Sequence, residues 1–277
     1  MKTKTPLLAF GIGAALALSA VAAGAHEMFL KPASFYLAPG AKTVIALFNG
    51  TFDKSENPIL RERMRSVSVI ANGKISHPAT SQWRDDKVTS YLDLTVGATG
   101  TYAVGVSTNP KVLELPADEF EEYLRHDGIE DVLKARQAEK PPRTPVKERY
   151  SKHVRTILQV GPTLTDDYSR PFGFPAEVLL LKNPAALKVG DTLSFRALIR
   201  GKPMASQLVY ASFDGFHGHN AQGGHINAVK VRTDAAGNGA FKITRAGKWY
   251  ITLINMQKTT GDAMYESNWS TVTFEIR

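Results

Sequence analysis

The 277-residue chain contains no cysteine. Disulfide staples, thiolate nucleophiles, zinc–thiolate sites and iron–sulfur clusters are thereby excluded, and any metal must be held by nitrogen and oxygen. A phosphate-cradling glycine-rich loop, a nucleophile elbow and a metalloprotease helix motif are also missing. Tryptophan is scarce: Trp83, Trp249 and Trp269 are dispersed and give no periodic face for stacking on sugars.

Long apolar runs are limited to one, at the N-terminus. Lys2 and Lys4 precede Leu7 to Ala23, which ends in Ala23-Gly24-Ala25. A short basic start, an apolar stretch and a small-x-small site form the layout of a secretory signal peptide over 1–25. A transmembrane anchor would want a stop-transfer cluster of charges after the run, and none follows. The expected product is a periplasmic or secreted protein with no integral membrane segment after cleavage. Removing both lysines leaves 32 Lys+Arg against 26 Asp+Glu, from 34 against 26 in the full chain. A basic balance suits nucleic acid, but export argues for no nucleic-acid partner. Attraction to an acidic cell surface, or solubility alone, is the simpler account.

What is present is strand and turn. Segments rich in β-branched and aromatic residues (Thr43–Phe48, Val67–Ile70, Thr89–Leu94, Tyr102–Val106) alternate with Asn49-Gly50, Asn72-Gly73, Gly97 and Gly100. They predict a first β-sandwich module over 26–112. A helical insertion and connector follows over 113–148. Pro116 and a cluster of acids open a helix with Phe120, Tyr123 and Leu124 on one face, and Asp127-Gly128 breaks it. Ile129, Val132 and Leu133 repeat the spacing in a second piece. A returning strand and linker occupy 149–174, and a C-terminal immunoglobulin-like sandwich of about seven strands occupies 175–277. The fold class expected is mostly β: two immunoglobulin-like β-sandwich modules with a short helical insertion between them.

The residues that carry chemistry are histidines. Three of the seven fall in Asp214-Gly215-Phe216-His217-Gly218-His219-Asn220-Ala221-Gln222-Gly223-Gly224-His225. His217, His219 and His225 form a nitrogen-rich set, which suits Ni, Co, Cu or Zn better than Mg or Ca. A solvated polar loop is the competing account of this segment. Cleavage after Ala25 would make His26 the first residue. Its α-amine and ring nitrogen would then form a bidentate chelate, completed by nitrogens from the glycine-rich loop. His77 and His126 read as solvated turn and helix-surface residues. His153, in Tyr150-Ser151-Lys152-His153-Val154-Arg155, reads as part of a basic surface.

Several segments in order resemble the DUF4198 family of exported bacterial proteins, described as periplasmic components of nickel or cobalt uptake. They are Ala25-His26-Glu27-Met28-Phe29-Leu30, Phe120-Glu121-Glu122-Tyr123-Leu124, Arg149-Tyr150-Ser151-Lys152-His153 and Gln159-Val160-Gly161. A C-terminal series adds Leu187-Lys188-Val189-Gly190-Asp191, Gly201-Lys202-Pro203, Thr233-Asp234-Ala235-Ala236-Gly237 and Gly247-Lys248-Trp249. The resemblance implies a β-rich periplasmic protein that handles a transition metal. It carries over only His26 as a site residue.

The reading that follows is a non-enzymatic protein that binds a divalent transition metal (nickel or cobalt, with copper or zinc as alternatives) and delivers it to a membrane uptake transporter. The site would be His26 with His217, His219 and His225. Two rivals remain at this stage. One is an adhesion or assembly module whose sandwiches bind protein or glycan. The other is a copper-dependent oxidative enzyme built on an N-terminal histidine.

Overall fold

The computed structural model describes residues 27–216, 218–219 and 225–277, with the backbone alone for 218, 219 and 225. The expected signal peptide, His26 and His217 lie outside the described residues. The first half contains β1 (Glu27–Pro32), β2 (Tyr36–Leu37), β3 (Lys42–Gly50), β4 (Met64–Ala71), β5 (Lys74–Ser76), β6 (Trp83–Asp86), β7 (Thr89–Thr95), β8 (Gly100–Thr108) and β9 (Lys111–Leu115). Two helices follow, α1 (Ala117–His126) and α2 (Glu130–Glu139), and then the long β10 (Val146–Val160). The remainder comprises β11 (Ala176–Leu180), β12 (Thr192–Ile199), β13 (Lys202–Pro203), β14 (Leu208–Phe213), β15 (Gly218–His219) and β16 (His225–Ile226). It closes with β17 (Val229–Arg232), β18 (Asn238–Lys242), β19 (Gly247–Lys258) and β20 (Tyr265–Ile276).

The chain is mostly β with two short helices, as its alternating pattern predicts. Both sheet pairs share one ten-stranded central sheet. Its path runs β17-β14-β19-β20-β10-β8-β4-β5, with β2 and β9 also paired to β10. The joint is the parallel pairing of β10 with β20, from Glu148↔Tyr265 to Thr156↔Thr273. Successive residues of a strand point to opposite faces, so this sheet can be packed on both sides. On one face β1-β3-β7-β6 encloses a core with Val67, Val104, Val154 and Leu158. On the other, β11-β12-β13 with β18 covers Ile157, Trp249, Ile251 and Phe274. Ile70 and Ala103, from strands of the first half, belong to this second core.

The surface expected over 150–155 is not one. Lys152, His153 and Arg155 are 4%, 1% and 3% exposed, because β10 is an inner strand covered on both faces. His153 and Arg155 are held by local partners. His153 Nδ1 meets Ser107 Oγ at 2.9 Å, and its Nε2 lies 3.1 Å from Ser151 Oγ and 3.2 Å from Asn268 Oδ1. Burial first of all holds the His153 imidazole down at about 4, so it is neutral at pH 7. Arg155 donates to the carbonyls of Tyr168 and Arg170 and pairs with buried Glu177 at 3.7 Å. Glu177 in turn accepts the backbone N–H groups of Phe172, Gly173 and Phe174. This clasp ties the linker before β11 to the central sheet.

The helices cover the rest of the first face. Phe120, Tyr123 and Leu124 of α1 pack with Met256, Tyr265 and Trp269, using the stripe that the i, i+3, i+4 spacing predicts. Around this apolar contact lie exposed ion pairs, Asp131 with Arg232 and Glu139 with Lys258.

Candidate functional site

Between the start of β1 and the end of α1, the first face is left with a polar seam. Strand register identifies its floor. Thr252 pairs with Thr271, Ile254 with Trp269, and Trp269 with Lys152, so these side chains share one face of the sheet. Thr252 and Thr271 hydroxyls are 3.3 Å apart. Lys152 Nζ donates to Asn49 Oδ1 at 3.0 Å and lies 5.3 Å from the Trp269 ring. Behind it, Tyr123 stacks on Trp269 and donates to Glu148 Oε1 at 3.1 Å. Ser267 also donates to Glu148 Oε1.

Glu27 forms one bank. It is the first residue of β1, where pairing of Glu27 with Gly50 fixes its position, and it hydrogen-bonds Thr252. The other bank is the end of α1. There, Gly128 N–H bonds the Arg125 carbonyl and Ile129 N–H bonds the Leu124 carbonyl at 2.8 Å, which is a Schellman closure. The closure needs a left-handed residue after the cap, and Gly128 has φ +69°. A Cβ at this position would stand 2.8 Å from Tyr210 Oη, whose hydroxyl bonds the Gly128 carbonyl. The turn therefore holds His126 and Asp127 in place at the seam. His126 Nδ1 lies 2.8 Å from Asp127 Oδ1.

The electrostatics follow from burial and mixed charge. Burial, and then the nearby Asp127, push the Glu27 carboxyl up to about 7. Burial also takes the Lys152 ammonium down to about 7, with Arg63 adding repulsion. Glu148 is pushed up to about 7, chiefly by burial. His126 is raised by its hydrogen bond to Asp127. Several groups thus exchange protons near neutrality, and an arriving cation would favour ionised Glu27 and neutral Lys152.

The hairpin expected to carry the histidine cluster springs from the same side. Its backbone register sets His219 opposite His225. Its base is anchored on β1 and its neighbours: Asp214 accepts from Lys31 at 3.2 Å, and Asn227 accepts from Tyr250 at 2.9 Å. Tyr250 packs against Phe29 and Phe52, and its phenol is held high by burial and by Glu27. The hairpin thus leaves the sheet within a few residues of Glu27. His77 lies elsewhere, bonded through Nδ1 to Ser68 and the Val67 carbonyl. Among the described residues, no three His, Asp or Glu side chains converge closely enough to hold a metal.

Reading the sequence alone leaves out Glu27, His126, Asp127, Glu148 and Lys152 as site residues. The signals for them are modest: an acid beside the expected cleavage point, and a His-Asp-Gly that closes an amphipathic helix.

A family model described as "Domain of unknown function (DUF4198)" matches residues 23–257. No curated protein matches the chain. Solved structures with similarity include the D0-D1 domain of intimin, at 8% identity and TM-score 0.22, covering 90% of this chain and 97% of that one. The Escherichia coli adhesin FdeC is 12% identical with TM-score 0.23, covering 90% of this chain and 63% of that one. Murine CEACAM1b is 7% identical with TM-score 0.21, covering 91% and 99%. Likeness at this level carries no functional argument.

Proposed function

The chain belongs to the DUF4198 family, and we propose that it is an exported, non-catalytic protein that binds a divalent transition metal, nickel or cobalt, for delivery to a membrane uptake transporter. The metal is cargo. Its first ligands are the amine and imidazole of His26 in the processed chain, with nitrogens from His217, His219 and His225. One observation supports this reading most directly: the hairpin that pairs position 219 with position 225 is anchored beside β1, a few residues from where the processed chain would begin. Among the described residues, no helix is long and apolar enough to cross a membrane.

Calorimetric titration with Ni(II) tests the chelate. The protein cleaved after Ala25 is compared with a version carrying one extra alanine before His26. The extension keeps every side chain but moves the free amine off the histidine. Loss of about tenfold in affinity, equivalent to about 1.4 kcal/mol, is expected. Equal affinities would remove the terminal chelate.

A further inference from the structure

We propose that a polar cavity at the end of the second core is a binding site for an uncharged sugar unit, recognised by Asn268, Asn255 and Gln257. This site is separate from the metal reading above and does not depend on it.

Along one face of β19, Trp249, Ile251 and Leu253 are buried in the second core, and Asn255 and Gln257 continue the same alternation. On β20, Phe274 and Val272 give way on that face to Asn268 and Glu266. The change coincides with the end of the covering strand β12 at Ile199. There Arg200 and Gly201, with φ +49° and +73°, make the tight turn into β13. A cavity of about 180 Å³ opens between this turn and the sheet, and Arg200, Asn255, Gln257, Lys258, Glu266 and Asn268 are among the residues that line it.

Asn268 is only 5% exposed. Its Oδ1 accepts from Ser151 Oγ at 3.1 Å and lies 3.2 Å from His153 Nε2. Its Nδ2 has no bonding partner among the described residues and is the end left for the cavity. A buried amide nitrogen is costly unless something accepts its hydrogens. Asn255 stands directly opposite on β19 and is held the other way round: its Nδ2 donates to Gln207 Oε1 at 3.0 Å, which leaves Oδ1 as an acceptor. Gln207 is itself fixed by bonds to the Leu208 and Ile254 carbonyls. A fixed donor beside a fixed acceptor suits neighbouring hydroxyl groups, since each hydroxyl both donates and accepts. The cations at the rim already have counter-charges. Arg200 bonds Glu266 at 2.6 Å, Arg149 bonds Glu266 and Asp262, and Lys258 pairs with Glu139. An anion would therefore gain little here, and the ligand class is uncharged. The volume falls below the roughly 300 to 1,000 Å³ usual for drug-sized ligands, which limits the occupant to a single sugar ring, free or at the end of a glycan. With no aromatic ring among the lining residues, hydrogen bonds carry the recognition.

The experiment titrates the processed protein, in EDTA so that no metal contributes, with glucose, galactose, mannose and N-acetylglucosamine, each free and as its methyl glycoside. The side-chain amide signals of Asn255, Gln257 and Asn268 are followed by nuclear magnetic resonance. At least one sugar should shift these signals saturably, and sodium acetate should not displace it. Equal affinity for the free sugar and its glycoside marks a site for glycan ends, and rejection of the glycoside marks a site for the free monosaccharide. Asn268→Asp keeps an oxygen toward Ser151 and His153 but replaces the donor, and should weaken binding about fivefold, as expected for one lost hydrogen bond. Gln257 is exposed, so Gln257→Ala should fold and weaken binding in the same direction. Lys74→Ala, on the edge strand β5 at the remote end of the central sheet, should change nothing. Absence of a saturable shift with every sugar, displacement by acetate, or unchanged affinity in both Asn268→Asp and Gln257→Ala overturns the inference. Failure of nickel binding leaves it standing.

Discussion

Glu148 is a fully buried carboxyl whose Oε1 accepts hydrogen bonds from Tyr123 and Ser267. Its Oε2 has no hydrogen-bond partner among the described residues. Burial raises its folded value to about 7 from 4.5. Between those pH values the folded protein holds a proton that the unfolded chain has released, so this group costs stability as pH rises through the window. The total is on the order of 3 kcal/mol, reached near pH 7 and absent below the unfolded value. Lys152 acts in the opposite sense at higher pH. Its folded value of about 7 lies under the ordinary 10.5, so stability recovers as pH rises between them. Glu148→Gln, neutral at every pH, should therefore be more stable than wild type at pH 8. Urea unfolding at the two pH values should show the gap closing near pH 4.5. An identical gap at both would mean that Glu148 is not held protonated.

At the scale of elements, two kinds of contact hold the helix pair, and their magnitudes differ. Asp131 and Arg232 are bonded at 2.8 Å but are 59% and 42% exposed. Such a pair contributes about 0.2 to 1 kcal/mol. Phe120 is fully buried, stacked on Tyr265 and beneath the Arg136 guanidinium. Cutting it to alanine removes apolar contact and leaves a cavity, at about 3 to 5 kcal/mol. Urea denaturation of Phe120→Ala and Asp131→Ala should return that order, with Asp131→Ala losing under about 1 kcal/mol. If the charge variant lost as much as the core variant, the helices would be held by their ion pairs instead. The helices were legible in sequence because Phe120, Tyr123 and Leu124 carry their own period, and so was the break at Asp127-Gly128. What lies near the helix end was not legible, since Glu27, which bonds Thr252, is far away along the chain and comes within electrostatic reach of His126 and Asp127 only through tertiary packing.

For the molecule as a whole, strand positions followed from alternation and turns, but the sharing of one sheet did not. Local pattern cannot show that β10 runs parallel to β20, a pairing that joins residues more than a hundred positions apart. That pairing buries Lys152, His153 and Arg155, which read as a basic surface in isolation. It also makes the seam, because β20 and β19 carry the floor between a bank from β1 and a bank from α1. His26 and the hairpin histidines were legible as candidates through residue type alone. Only their convergence on one ion would make a site of them. Anomalous diffraction at the nickel edge, from crystals of the protein processed after Ala25 and loaded with Ni(II), tests it most directly. The account predicts one strong peak bonded to the amine and ring of residue 26, with further imidazole nitrogen from the 217–225 hairpin. A peak bonded to hairpin histidines alone, with residue 26 unligated, would contradict it.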